Sequence, residues 1–268
     1  MINNITTSLP FYQVDAFTSL PFGGNPAAVC PLTAWLDDDI LQSIAAENNL
    51  SETAFFVPVE DGYHLRWFTP ATEVDLCGHA TLATSWVMFN KLNHPGKSIR
   101  FHTRSGILTV TQQGHEYCMD FPAKSATEVE APAGLLEALG ITTGVISVWQ
   151  SDDLIVLVDD KAIIDKLAPD FNKLALFDTR GVIVTAGDKE FDFVSRWFGP
   201  QVGVNEDPVT GSAHTFLAPF WASRLGKTEL TAQQGGARKG TLRCVVGDNR
   251  RVELYGAARL MIEGMFQL

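Results

Sequence analysis

The chain is short of basic residues: 20 Lys and Arg stand against 31 Asp and Glu, a formal net charge of −11 over 268 residues. A nucleic-acid groove needs a basic face, and this balance argues against one. It leaves anionic substrates open, because a site is local and net charge is global. Cysteine is scarce too. Cys30, Cys77, Cys118 and Cys244 lie far apart and form no CxxC pair, which reads as a cytoplasmic chain with reduced thiols. No apolar run approaches a membrane span. The opening MINNITTSLPFYQVDAF is polar and then strand-like, so no secretion signal is expected. HExxH, Walker and GxSxG motifs are all missing. GGARKG at 235–240 follows a polar stretch and does not read as a phosphate loop. His79 and His214 lack a third ligand of recognisable spacing, so no metal site is expected.

What is present is a repeat. RWFTPATEVDLCGHAT at 66–81 is echoed by RWFGPQVGVNEDPVTGSAHT at 196–215. Arg66, Trp67, Phe68 and Pro70 recur 130 positions later as Arg196, Trp197, Phe198 and Pro200. Glu73, Gly78 and Ala80 recur 133 positions later as Glu206, Gly211 and Ala213. Between them Cys77 becomes Thr210 and His79 becomes Ser212. The frame is kept and the chemistry is changed.

The surrounding elements repeat as well. FYQVDAF and AAVCPL read as strands and WLDDDILQSIAAENNL as a helix. TAFFVPVEDGYHLRWFTP reads as a hairpin turning at Glu60–Gly62. GVISVWQ and LIVLVDD, helical pattern over 160–176, and a hairpin turning at Gly187–Lys189 follow in the same order. Residues 79–92 and 212–225 are apolar on nearly every side, which predicts two helices, each buried in its own sheet. Pro219 should kink the second or displace its start. The composition, 46% hydrophobic and 19% charged, supplies the core. Repetition at this length means two similar domains. They are expected at 1–124, with the last strand (257–268) able to return to it, and 125–256. The expected fold is α+β, each domain a curved mixed or antiparallel, barrel-like sheet wrapped around a central buried helix.

The loops before the two helices carry the candidate chemistry. A helix start has unpaired N–H groups and partial positive charge, so Gly78 and Gly211 open places for a carboxylate or oxyanion. A lone glycine there is usually structural; two in a duplicated frame point to ligand binding. Glu52, in NLSETAFF, is either a solvated turn acid or a proton carrier. In the second half the matching place lies near Arg180, in a loose register. His79 is a cap, a core residue or a proton carrier. Cys77 is a nucleophile activated by a helix start or a small buried residue. Asp207 is a simple acid at a helix start or a ligand-facing one. The FGGN turn at 22–25 puts Asn25 beside the same expected cleft as a substrate-binding candidate.

With QVDAFTSLPFGGNPAAV (13–29), NLSETAFF (49–56), LRWFTPATEVDLCGHAT (65–81) and NEDPVTGSAH (205–214) in that order, the chain resembles the PhzF-like isomerases of phenazine biosynthesis over essentially its full length. These share the diaminopimelate epimerase fold. The resemblance implies an active site between the domains, no cofactor and usually a homodimer; a small carboxylate is the expected partner. It implies Glu52 as the proton-shuttling acid/base and His79 and Asp207 as assisting residues. It implies that Gly211 and Ser212, with Gly78 opposite, help hold the ligand; Cys77 is a further substrate-binding candidate. Diaminopimelate epimerase itself uses two cysteines; here Thr210 stands at the second place, so two-thiol racemisation lacks a partner. The expected activity is a proton shift between carbons of a small carboxylate. Two rivals remain: an amino-acid epimerase using Cys77, and a non-catalytic protein that binds small acids.

Overall fold

The structure is a computed structural model describing residues 8–268. The chain divides into two units: one runs to Asp120 and takes back Gly256–Leu268, and the other is Phe121–Tyr255.

The first unit is built from β1 (Ser8–Ala16), β2 (Asn25–Pro31), α1 (Asp38–Asn48), β3 (Glu52–Val59), β4 (Gly62–Phe68), β5 (Glu73–Val74), α2 (Gly78–Asn90), β6 (Ser98–Thr103), β7 (Gly106–Gln113) and β8 (Glu116–Pro122). The second holds β9 (Thr127–Val129), α3 (Leu135–Leu139), β10 (Val145–Gln150), β11 (Leu154–Val158), α4 (Lys161–Asp165), α5 (Phe171–Leu174), β12 (Val182–Gly187), β13 (Phe193–Gly199), β14 (Val204–Asp207), α6 (Gly211–Leu225), β15 (Glu229–Gln234), β16 (Gly240–Val246) and β17 (Arg251–Gly256). The final strand, β18 (Ala258–Gln267), pairs antiparallel with β1 in the first unit.

The strands of the two units pair in the same order. In the first unit β1 pairs with β2, then β2 runs parallel to β3, β3 antiparallel to β4, and β4 parallel to β6. In the second, β10 pairs with β11, β11 runs parallel to β12, β12 antiparallel to β13, and β13 parallel to β15. The parallel steps fall at the same places in both. The helical pattern over 160–176 resolves into α4 and α5, two short pieces separated by the Ala168–Pro169 stretch.

Each unit buries one long helix. In α2 the residues from His79 to Ser85 are all buried, with Val87 and Met88 beyond them; α6 is buried on most of its length. Polar side chains survive inside α2 because they bond back to their own helix. Thr81 Oγ1 donates to Cys77 O at 2.6 Å, Thr84 Oγ1 to Ala80 O at 2.7 Å and Ser85 Oγ to Thr81 O at 2.8 Å. Pro219 lies inside α6, whose start at Gly211 it does not displace. It has no N–H for the carbonyl of Thr215. The Lys124 backbone N–H donates to that carbonyl instead, at 3.0 Å, so the group is satisfied.

The repeated motif is an ion pair with one geometry in both units. Arg66 Nε meets Glu73 Oε1 at 2.7 Å and its Nη2 meets Oε2 at 2.7 Å. Arg196 Nε meets Glu206 Oε1 at 2.7 Å and its Nη2 meets Oε2 at 2.8 Å. Each guanidinium also lies over the Phe two residues on, Phe68 or Phe198, at 5.0 Å. Only the third arm differs. Arg66 reaches the exposed Asp38 at the start of α1; Arg196 reaches the carbonyls of Ile164 and Leu167.

Two predictions follow from this packing. Arg196→Met strands Glu206 beside buried backbone and should destabilise the protein by about 3 kcal/mol in urea unfolding. Adding Glu206→Leu should recover part of that loss. The second concerns His214, which is fully buried, donates Nδ1–H to Thr210 O at 2.9 Å and leaves Nε2 without a partner. Burial holds its pKa down at about 4. The unfolded chain binds this proton near pH 6.5, so between those values it holds more protons than the folded one. Stability should therefore drop by roughly 3 kcal/mol as pH falls through that window and level off below it. His214→Leu should remove this component in denaturant titrations at pH 7 and pH 4.5.

Candidate active site

Glu52 is the first residue of β3, and β3 lies parallel to β2 with Ala27 opposite Glu52. Asn49 closes α1 in a left-handed conformation (φ 48°), and the short link that follows delivers Glu52 to the strand. The α2 start is brought to it by the Arg66–Glu73 pair, which ties β5 to β4 just ahead of Cys77. Cys77 is the N-cap in extended conformation, with no side-chain cap, and His79 is the second helical residue.

These elements gather Glu52, Cys77, His79 and Asn25. His79 Nε2 lies 3.0 Å from Glu52 Oε2. That oxygen is buried yet has no well-aligned hydrogen bond, so the contact is an ion-pair approach off the N–H axis. A small side-chain rotation would align it, as catalytic contacts often do on binding. Asn25 is fully buried and its Nδ2 stands 3.1 Å from His79 Nδ1. While the ring is neutral, an amide donor there leaves its proton on Nε2, facing Glu52. The turn before Asn25 needs Gly24, at φ +62°, since a Cβ would meet Ala16 O at 2.1 Å. Asn25 thus orients the imidazole from behind.

The electrostatics separate the two rivals for proton transfer. Burial, then the Glu52 carboxylate, pushes the Cys77 thiol up to about 11, so it stays protonated at neutral pH. Burial works against a charged His79, but Cys77 and Glu52 beside it outweigh that and hold its pKa above the usual value. One oxygen, one nitrogen and one sulfur of Glu52, His79 and Cys77 lie within 4.8 Å of one another. This donor set is of a kind zinc accepts, and sequence spacing hides it because Glu52 arrives from a different strand.

The second unit presents a different start. Asp207 ends β14 and is largely buried. Its Oδ2 accepts from Thr210 Oγ1 at 2.6 Å. Gln234 closes the loop: its Oε1 accepts the Thr210 N–H, and its Nε2 donates to Asp207 O and Thr210 Oγ1, each at 3.0 Å. The Thr210 hydroxyl, which stands where the first unit has a thiol, is therefore committed on both sides. Gly211 and Ser212 open α6, again with no side-chain cap. Arg180 Nη1 donates to Ser212 Oγ at 2.8 Å.

Glu52, His79, Cys77, Gly78 and Asn25 thus form one group, and Asp207, Gly211 and Ser212 another. Gln234 and the Arg180–Asp153 pair are additions that sequence reading missed. Arg180 had a faint signal in the duplicated frame; Gln234, 24 residues beyond Thr210, had none.

The comparisons with known proteins agree with this architecture. A family profile described as phenazine biosynthesis-like protein matches residues 14–264. An uncharacterised isomerase of Pseudomonas aeruginosa is 60% identical over 260 residues, covering 97% of this chain and 99% of that one. The crystal structure of a PhzF-family protein from Enterococcus faecalis superposes with a TM-score of 0.94 at 45% identity, over 97% of this chain and 100% of that one. A hydroxyproline epimerase from Agrobacterium vitis shares the fold alone, with a TM-score of 0.61 at 8% identity over 98% and 93% of the two chains. No helix among the described residues is long and apolar enough to cross a membrane. With its repeated sheets, its two capless helix starts and these full-length matches, the chain belongs to the phenazine biosynthesis-like, PhzF family.

Proposed function

We propose that this protein is an isomerase that moves a proton between carbons of a small carboxylate substrate, with Glu52 as the acid/base. The observation that carries the reading is the 3.0 Å approach of His79 Nε2 to Glu52 Oε2 at the start of a buried helix. With one carboxylate oxygen held by the imidazole, the other is left to take a proton from carbon and return it at a second position. His79 stabilises the carboxylate while it acts as base and lets it release the proton afterwards. The N–H groups at Gly78 and Gly211, and the Ser212 hydroxyl, are assigned to negative charge on the ligand and on the deprotonated intermediate. Asp207 is assigned to polar groups of the substrate. That both units serve one ligand is part of this proposal.

The thiol-based epimerase is the weaker rival, because Cys77 is held protonated and Thr210 is bonded on both sides. The names of relatives as isomerases favour catalysis over simple acid binding.

Two outcomes are expected in heavy water with a panel of small cyclic and amino carboxylates, read by proton NMR. Glu52→Gln should slow deuterium entry at carbon by about 10²- to 10⁴-fold, the range for loss of a general acid/base. Survival of exchange in that variant would remove Glu52 from its role. Cys77→Ala should keep exchange within about threefold of wild type, since a protonated buried thiol is not the base. Loss as large as that of Glu52→Gln would restore the thiol mechanism. Carboxylate binding without exchange in wild type would leave a binding protein.

A further inference from the structure

Arg180 and Asp153 have no part in the reading above, yet their placement mirrors it. In the first unit Thr53 pairs with Phe68, and Glu52, one residue earlier, reaches the second residue of α2, His79. In the second unit Val182 pairs with Phe198, and Arg180, two residues earlier, reaches the second residue of α6, Ser212. Ahead of the equivalent strand, one residue apart in register, the first unit carries an acid and the second a guanidinium, and each reaches the second residue of its buried helix.

The guanidinium is fixed. Its Nε donates to Asp153 Oδ1 at 2.9 Å, its Nη2 grips Asp153 Oδ2, and Asp153 is 4% exposed. The Arg180 guanidinium also lies 5.7 Å from the centre of the Trp197 ring. The remaining arm, Nη1, points at Ser212 Oγ. A guanidinium only donates hydrogen bonds, so Oγ must accept. The hydroxyl has one proton, and no acceptor among the described residues takes it. Asp153 offsets the Arg180 charge, so Arg180 serves less as a free cation than as a director. It turns Ser212 into an oriented donor, strengthened by the cation behind it. The uncapped start of α6 adds to the same preference for negative charge.

We infer that Arg180, held by Asp153, is a positioning residue that makes Ser212 a one-way donor and sets a preference for a carboxylate over a neutral group on the ligand. The inference rests on the assignment of Ser212 to the ligand in the proposed function.

The test uses 2-aminobenzoate and its neutral counterpart 2-aminobenzamide, titrated by calorimetry. The proteins are wild type, Ser212→Ala, Arg180→Lys and the double variant. Lysine keeps a cation beside Asp153 but has no fork to hold both partners. Wild type should favour the carboxylate by about tenfold or more, and each single variant should erase most of that preference, as loss of one charge-assisted hydrogen bond predicts. Affinity for the amide should change by less than about threefold, and the double variant should lose no more than Ser212→Ala, since Arg180 acts through Ser212. Arg180→Gln with Asp153→Asn, which leaves no lone buried charge, should show the same loss of preference and guards against misfolding of the lysine variant. Equal losses for both probes, additive losses, or a wild type that binds the two alike or binds neither would overturn the inference. Glu52→Gln separates it from the isomerase reading: that variant should keep the carboxylate preference while losing proton exchange. A preserved preference with no exchange in any protein would sink the isomerase and leave this inference standing.

Discussion

The bidentate pair between Arg66 and Glu73, and its copy between Arg196 and Glu206, is the constraint on which each unit depends. In both units it joins the central Arg-Trp-Phe strand to the segment that leads into the buried helix. A fork of two parallel hydrogen bonds fixes orientation as well as distance. The start of α2 or α6 is thereby aimed from a strand with neighbours on both sides. The pair is partly buried, so removing either partner costs the other its bidentate hydrogen bonds; in the first unit Arg104 and Asp38 still face Glu73 and Arg66. This explains why the duplicated stretch keeps Arg and Glu while the loop between Pro and Glu changes length.

On that common frame the two helix starts have diverged. The first is a reactive cluster, with an acid, an imidazole and a protonated thiol packed against a buried amide. The second is a locked loop in which Gln234 and Asp207 use up the Thr210 hydroxyl and Arg180 directs Ser212. On the proposed reading, the first start would exchange a proton and the second would hold negative charge on the ligand. Burial decides the chemistry in each. The thiol is too deeply desolvated to ionise at neutral pH, and the imidazole lies 3.0 Å from Glu52 Oε2.

Much of the fold was legible in the sequence. Alternation marked the strands, all-round apolarity marked α2 and α6, and the RWF echo marked the duplication. A proline inside a helix pattern suggests a kink or a later start, and the start of α6 stays at Gly211. The reason is tertiary, because the Lys124 N–H takes the carbonyl that proline leaves open. The 160–176 pattern broke into short helices at a proline that local periodicity underweighted.

The sequence by itself determined the repeat, the two buried helices and the positions of Gly78 and Gly211, because these depend on periodicity and local chemistry within a short window. Only the tertiary structure decided who touches whom. Glu52 meets His79 because a parallel strand and a helix start converge across residues 52 to 79. Asn25 stands behind the imidazole for the same reason, 54 positions away in the chain. Arg180 finds Ser212, and Gln234 finds Thr210, through β12 and β15, which carry no motif of their own. Contacts between residues distant in the chain are set by strand register and packing, and neither is written in the spacing of the residues that make them.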